Sequence, residues 1–391
     1  MRILFLHEVG YLEKPIFEMH EFPEHLSSRG HEIAFADFPE KLGSNFKGTK
    51  GALVGGRVLV HAKIKLYSQT SLAPGILGRL LAAGLFPVFW YRVLRDFKPD
   101  LVVSFAVPTS GWQAALICRS KGIPFIFRAL DVSHKIRKTV FASLVKVAER
   151  VVYSSASWVS CNNQAMRDYC LSLGANYQKS SVDYPPLDLS HFLDAEISTD
   201  VLRRHGIPDK RQVIVYMGSF FYFSGLETVI RQLSLLKERP HLVLIGGGEQ
   251  ESELRKITKV LKLEQFVTFT GFVSYKDLPS YLSIGDVAIN PMVPSLVSHK
   301  ALPNKVLQYM ASALPVVTTK LEGLISVFPG SDGIRLVDDS TSVLPAAIEM
   351  LEKPNLIELG ESNRTVVARK FNAGIATHEF EQRLLTVGLG K

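Results

Sequence analysis

Four residues at the head of one short apolar stretch carry the most visible chemistry in this sequence. In "HKALPNKVLQYMASALPVV", residues 299–317, Val306, Leu307, Met310, Ala311 and Leu314 recur at the spacing of a buried helix face. Pro303, Asn304, Lys305 and Gln308 sit instead at the opening turn, where free backbone amides and an ammonium can hold an anion. Three further stretches place glycine directly after an apolar run: "MGSFFYFSG" with Gly218 and Gly225, "IGGGEQ" with Gly246, Gly247 and Gly248, and "FTGFVSYKDLP" with Gly271. A lone glycine of this kind marks a tight turn. Several in succession, with the loop at Pro291, predict backbone approach to a phosphate.

Two series of strands and helices must position these loops. "RILFLHE", "HEIAFAD", "PDLVVSFAVP", "IPFIFRALD" and "SWVSCNN" read as strands separated by segments long enough for crossover helices. "QVIVYMG", "HLVLIGG", "FVTFTG", "VAINPM" and "LPVVTT" form a second series, with helices predicted near 225–238, 250–262, 277–284 and 304–313. The expected fold is α/β, two doubly wound Rossmann-like domains facing a central cleft, with ligands at the carboxyl ends of the strands. The expected division is an N-terminal domain over 1–183, an interdomain region over 184–211, a second domain over 212–365 and a C-terminal helix over 366–391 packing back on the first domain.

Charge is unevenly spread over the 391 residues. Residues 41–150 hold 18 Lys and Arg against 4 Asp and Glu, a net of +14, whereas the half after residue 190 is neutral. The same segment carries "APGILGRLLAAGLFPVFWYRVLRDFKP" and "HKIRKTVFASLVKVAERVV", apolar and basic together, the make-up of helices lying in a membrane interface. An anionic membrane surface is therefore the expected partner of segment 41–150. No nucleic-acid recognition module is legible, so nucleic acid is not an expected partner. The run from Ile76 to Tyr91, broken by Arg79 and Pro87, is short of a bilayer span, and "MRILFLHEV" reads as a first strand, not a signal peptide. Cys118, Cys161 and Cys170 have no metal-site spacing, no metal is expected, and the odd count fits a reducing, cytoplasmic compartment.

The order of motifs resembles the family 4 glycosyltransferases of the GT-B fold. "MGSFFYFSG", "LVLIGGGEQESEL", "VTFTGFVSYKDLPSYL" and "KALPNKVLQYMASALPVVTT" stand where that family has its Gly-Arg-Leu-x3-Lys-Gly, Gly-x-Gly, "FxGxV" and Glu-x7-Glu segments, and "SVDYPPLDLSHF" resembles its interdomain stretch. Ser219 and Ser224 replace the usual diphosphate-binding Arg and Lys, and Lys300 and Gln308 replace the two Glu. The segment is closer to a subgroup with "PxKxxEYMA", whose lysine corresponds to Lys305. The resemblance implies transfer of a sugar with retention of configuration, from a UDP- or GDP-linked co-substrate and with no further cofactor. Donor contacts then fall to Gly218, Ser219, Gly247, Phe272, Val273, Lys300, Pro303, Asn304, Lys305 and Gln308, with Lys305 left to neutralise the diphosphate. It places Asp131 on the acceptor side as the group that orients a hydroxyl and draws off its proton, with Arg128 and His134 nearby; Asp131 could equally cap a helix starting near Ser133. His7 and Glu8, ending the first strand, point to the cleft by position. The basic first domain makes a lipid-linked saccharide the expected acceptor and peripheral membrane attachment the expected location. The rival readings are a catalytically silent homologue partnering another transferase and a sugar-nucleotide epimerase.

Overall fold

The computed structural model describes residues 1–38, 50–70, 73, 75–136, 141–193, 196–208 and 210–390. Parts of the basic segment 41–150 and of the interdomain stretch therefore lie outside the described residues. Two compact units result: unit 1 comprises Met1–Pro186 with Ala373–Lys391, and unit 2 comprises Leu187–Asn372.

Unit 1 is built on an eight-stranded sheet. Its strands are β1 (Arg2–Leu6), β2 (Glu32–Asp37), β3 (Lys50–Gly55), β4 (Lys63–Ser68), β5 (Leu101–Ser104), β6 (Phe125–Ala129), β7 (Trp158–Cys161) and β8 (Ser180–Val182), in the order β3-β4-β2-β1-β5-β6-β7-β8. All pairings are parallel except β3 with β4. The inner strands are buried on both faces, which is why "ILFL" and "LVVS" read as unbroken apolar runs with no alternation. Helices α1 (Glu18–Ser28), α2 (Gly75–Phe97), α3 (Gly111–Ser120), α4 (Ser133–Ile136), α5 (Ala142–Ser155) and α6 (Gln164–Ser172) form the connections. Met19, Phe22 and Leu26 of α1 join one core layer, and Phe86, Trp90, Ala114, Val152 and Met166 of α2, α3, α5 and α6 join the other. The strands β3, β4 and β8 add to the five expected from sequence.

Unit 2 is a six-stranded parallel sheet of β9 (Val213–Met217), β10 (His241–Ile245), β11 (Val267–Gly271), β12 (Val287–Asn290), β13 (Val316–Thr319) and β14 (Ile334–Val337), ordered β11-β10-β9-β12-β13-β14. The strand order reverses between β9 and β12, so ligands are favoured at the carboxyl ends of these two strands. Its helices are α7 (Thr199–His205), α8 (Leu226–Leu233), α9 (Glu251–Val260), α10 (Leu278–Leu282), α11 (Leu296–Lys300), α12 (Asn304–Ala311), α13 (Glu322–Val327), α14 (Val343–Leu351) and α15 (Leu356–Phe371). The last helix, α16 (Ala373–Gly388), belongs to unit 1, where Phe380 packs on Phe22 at 4.3 Å between ring centroids. The single C-terminal helix expected over 366–391 is thus corrected to two. The chain is extended at Asn372 (φ −48°, ψ 127°), which ends α15 and starts α16 in a new direction.

Candidate functional site

The opening turn of α12 lies over the end of β9. Pro303 occupies the cap position of α12 and supplies no side-chain acceptor, so the first-turn amides are left without the usual cap. From this turn the half-buried Lys305 sends its Nζ to the Tyr216 hydroxyl, 3.0 Å away, and over the Tyr216 ring at 4.3 Å from its centroid. Tyr216 in turn donates to the Ser219 carbonyl at 3.1 Å. Among the described residues no carboxylate pairs with Lys305. Burial pushes its ammonium down to about 7, because a desolvated cation without a counter-charge favours losing its proton. An anion bound here would supply the missing charge.

Gly218 gives this lysine its room. Its φ of +135° lies in the region glycine favours, and an added Cβ would stand 3.0 Å from the Lys305 Nζ. The other glycines serve the loops themselves. A Cβ at Gly246 would stand 2.2 Å from the Gly218 carbonyl oxygen, and Gly218, Phe220 and Gly246 donate backbone bonds to Ile245, Gly247 and Gly271. Gly225, Gly246 and Gly248 are thus packed against the backbone of neighbouring loops, at Pro291, Gly218 and Phe220, while Gly218 is set against the lysine. The Phe272 ring would meet a Cβ at Gly247 at 3.0 Å and is 75% exposed, with Val273 half-buried behind it.

The remaining donor-side residues divide. Asn304 is half-buried beside Lys305, Ser219 is exposed in the β9–α8 loop, and Gln308 is buried on α12 with no side-chain hydrogen bond among the described residues. Gln308 is thus not a solvent-facing residue. Lys300 is paired with Glu322 of unit 2. The Tyr309 hydroxyl accepts from the Met217 amide at 2.6 Å and so pins α12 to β9. Neither Tyr216 nor Tyr309 was singled out in the sequence, where each reads as an apolar core residue. The signal for Tyr216 is a hydroxyl-bearing ring in an otherwise aliphatic strand, and for Tyr309 a hydroxyl-bearing ring on the apolar face of α12.

The acceptor-side expectations are largely corrected by packing within unit 1. Arg128 is fully buried, ion-paired with Glu18 and donating to Ser160 at 2.9 Å and to the Asp183 carbonyl at 2.6 Å. Burial pushes the Glu18 carboxyl up and Arg128 opposes it. His134 lies 2.8 Å from Glu149, which also accepts from Tyr169 at 2.8 Å. Both side chains are consumed by structure. Glu8 accepts from the amides of Thr109 and Ser110, each at 2.7 Å, and so caps the start of α3. His7 accepts from the Glu8 amide at 2.8 Å and stacks on Phe105 at 5.4 Å. Asp131 is different: its residue surface is exposed and no side-chain hydrogen bond holds it among the described residues, but desolvation pushes its carboxyl above the usual carboxylate range and its charge adds to the upward push on Glu18. It does not cap α4, whose His134 amide turns to Glu149 instead. No cluster of three or more His, Cys, Asp or Glu suited to a metal ion occurs among the described residues.

Residues 211–353 match the family described as "Glycosyl transferases group 1", and residues 19–182 match the "Glycosyl transferase 4-like domain", together most of the chain. The sequence is 26% identical to the alpha-D-kanosaminyltransferase of Streptomyces kanamyceticus over 365 residues, 88% of this chain and 93% of that protein. It is 25% identical over 381 residues to WcaI of Escherichia coli, a glycosyl transferase assigned to colanic acid biosynthesis, covering 88% and 91%. The fold matches that of HepE of Anabaena, solved in complex with UDP-glucose, with a TM-score of 0.74 at 17% identity over 98% and 99% of the two chains.

Proposed function

Because the chain belongs to the family 4 glycosyltransferases of the GT-B fold, we propose that it moves a sugar from a nucleotide diphosphate donor held by unit 2 to a membrane-borne glycan precursor held by unit 1. Retention of anomeric configuration and protein groups in place of a metal at the diphosphate complete the reading. The observation that carries it is the Lys305 ammonium, half-buried, without a carboxylate partner among the described residues and set at an uncapped helix start.

Leaving of the diphosphate builds negative charge on its oxygens. Lys305 and the first-turn amides of α12 meet that charge with groups already oriented, so little reorganisation is needed as the bond breaks. Gln308, one helical turn on, offers a carbonyl to a ribose hydroxyl where the family commonly has a carboxylate. Asp131 is the group for the acceptor: a carboxyl with no hydrogen bond among the described residues, pushed up by desolvation, is suited to accept a hydroxyl proton, which the buried Arg128 and His134 are not. The relatives named for colanic acid and kanosamine transfer support a carbohydrate or glycoside acceptor. The basic segment 41–150 supports one carried on the cytoplasmic face of a membrane.

The test is a panel of UDP- and GDP-sugars offered to the purified chain, with melting temperature and release of nucleotide as readouts. A cognate donor raises the melting temperature and is turned over only when an acceptor is added. Turnover without acceptor would instead indicate epimerisation, and no response to any donor would remove the transferase reading.

A further inference from the structure

From Gly75 to Tyr91 helix α2 carries one charge, Arg79, which lies 4.0 Å from Glu8 and over the Phe38 ring, and is otherwise apolar. Its inner face puts Ala82, Phe86, Trp90, Val93 and Leu94 into the core of unit 1. Its outer face carries Leu77, Leu80, Leu81, Leu85, Val88 and Tyr91, each 40–61% exposed. A helix on the surface of a soluble domain normally turns charge outward, and one that is apolar all round is covered by something. Residues Leu77–Phe97 have the length and composition of a membrane span. They cannot act as one while the unit is folded, because α2 is the crossover from β4 to β5 and Phe86, Trp90 and Phe97 are buried in the core.

Neighbouring helices extend this surface. α3 packs against both α2 and α5, and it exposes Trp112 and Leu116, as α5 exposes Leu144 and Val147. The exposed charges on these helices and the turns that follow are mostly of one sign: Arg92 and Arg95, Lys98, Arg119 and Lys121, Lys146 and Arg150, against Asp96 and Asp100, the latter accepting from the Arg2 amide. Lys121 reaches back over the Tyr91 ring at 4.8 Å, which sets a cation at the edge of the apolar strip. Among the described residues of the three helices, Asp96 is held by Lys65 and Tyr67, and Glu149 is buried against His134. A two-fold pairing of this face with a second copy would bring cations against cations. An anionic bilayer offers both complements at once, acyl chains for the leucines and phosphates for the arginines and lysines.

We propose that the outer face of α2, continued by α3 and α5, docks on an anionic lipid bilayer. Leu77, Leu80, Leu81, Leu85 and Val88 enter the boundary between headgroups and acyl chains, and the cations at the C-terminal ends of α2 and α3 rest among the phosphates. This deepens the proposed membrane-borne acceptor by naming the surface that brings unit 1 to it.

The experiment is flotation of the full chain with vesicles of phosphatidylcholine, with and without phosphatidylglycerol. Strong binding to the anionic vesicles that weakens with added salt is expected, and weak binding to the neutral ones. Leu80→Ser/Leu85→Ser should lower vesicle partition by about tenfold or more, while Arg92→Ser/Arg95→Ser should lower it on anionic vesicles only. Unchanged thermal stabilisation by a nucleotide sugar, bound in unit 2, would show that both variants remain folded. Parent-like flotation of the leucine variant would overturn the inference. So would a parent that sediments as a dimer, becomes monomeric on Leu80→Ser/Leu85→Ser and ignores vesicles. If flotation behaves as expected but only water-soluble acceptors are glycosylated, the docking face stands and the proposed acceptor falls.

Discussion

Replacing Lys305 by Met removes one charge from the α12 turn while keeping most of the side-chain volume over Tyr216 and Gly218. A charge-assisted hydrogen bond contributes roughly 1.5–3 kcal/mol, so nucleotide-sugar affinity should fall by roughly 10- to 150-fold. The pH dependence makes the prediction specific. In the free protein burial holds the Lys305 ammonium at about 7, and a bound diphosphate favours the charged form, so the complex binds more protons than the free protein and affinity falls as pH rises through neutrality. If the bound lysine stays protonated, the loss between about pH 6.5 and about pH 8.5 is at most roughly 25-fold. A half-buried ammonium keeps some hydration, which makes that an upper bound. Lys305→Met should flatten the profile. A nucleotide sugar is the right ligand for titration calorimetry, because its bridged diphosphate keeps a fixed charge across this range. The same shift has a cost for folding. An unfolded lysine binds its proton up to its ordinary, higher pKa, so this group makes stability rise with pH above about 7. Lys305→Met should therefore melt higher than the parent at neutral pH without donor. A variant with parent-like affinity and an unchanged pH profile would refute the assignment of Lys305 to the diphosphate.

Three further outcomes follow from the same contacts. Tyr216→Phe keeps the ring under Lys305 but removes the hydroxyl that receives its Nζ, so donor KM should rise several-fold with a smaller effect on kcat. Steady-state kinetics at fixed acceptor separates the two. Asp131→Asn should cut acceptor-dependent turnover by about 100-fold or more without lowering the urea midpoint, since no hydrogen bond is lost among the described residues and a desolvated carboxylate acting on Glu18 is removed. Arg128→Ala should do the reverse. It strands Glu18 in the core of unit 1 at about 3–5 kcal/mol, so urea unfolding shifts to a lower midpoint, and a folded Arg128→Ala protein with only a raised acceptor KM would contradict the structural role.

Alternation of apolar runs and helical spacing was enough to place the five strands β9 to β13 and the helices α8, α9, α10 and α12, because a strand buried on both faces has no polar positions to confuse the pattern. The strands missed have less of that signature. β8 is "SSV" at a sheet edge, β3 and β4 carry lysines, and β14 is "IRLV", a four-residue run whose burial depends on β13 beside it. The packing half of "HKALPNKVLQYMASALPVV" was likewise written in its spacing.

By itself the sequence determined which loops end the strands and which residue types stand there: a lysine after Pro303 and glycine at 218. Spacing along the chain also determined that α2 and α5 are apolar and basic at once. Tertiary structure alone decided which polar groups remain available. Arg128, His134 and Glu8 looked like site residues beside Asp131, and Lys300 beside Lys305. Partners distant in sequence, such as Glu18 and Asp183 for Arg128, Thr109 for Glu8 and Glu322 for Lys300, take them out of reach. The physical reason is that a buried charge must find its complement wherever the fold brings one. The lysine without a carboxylate and the exposed apolar face of α2 become visible only once the partners among the described residues have been placed.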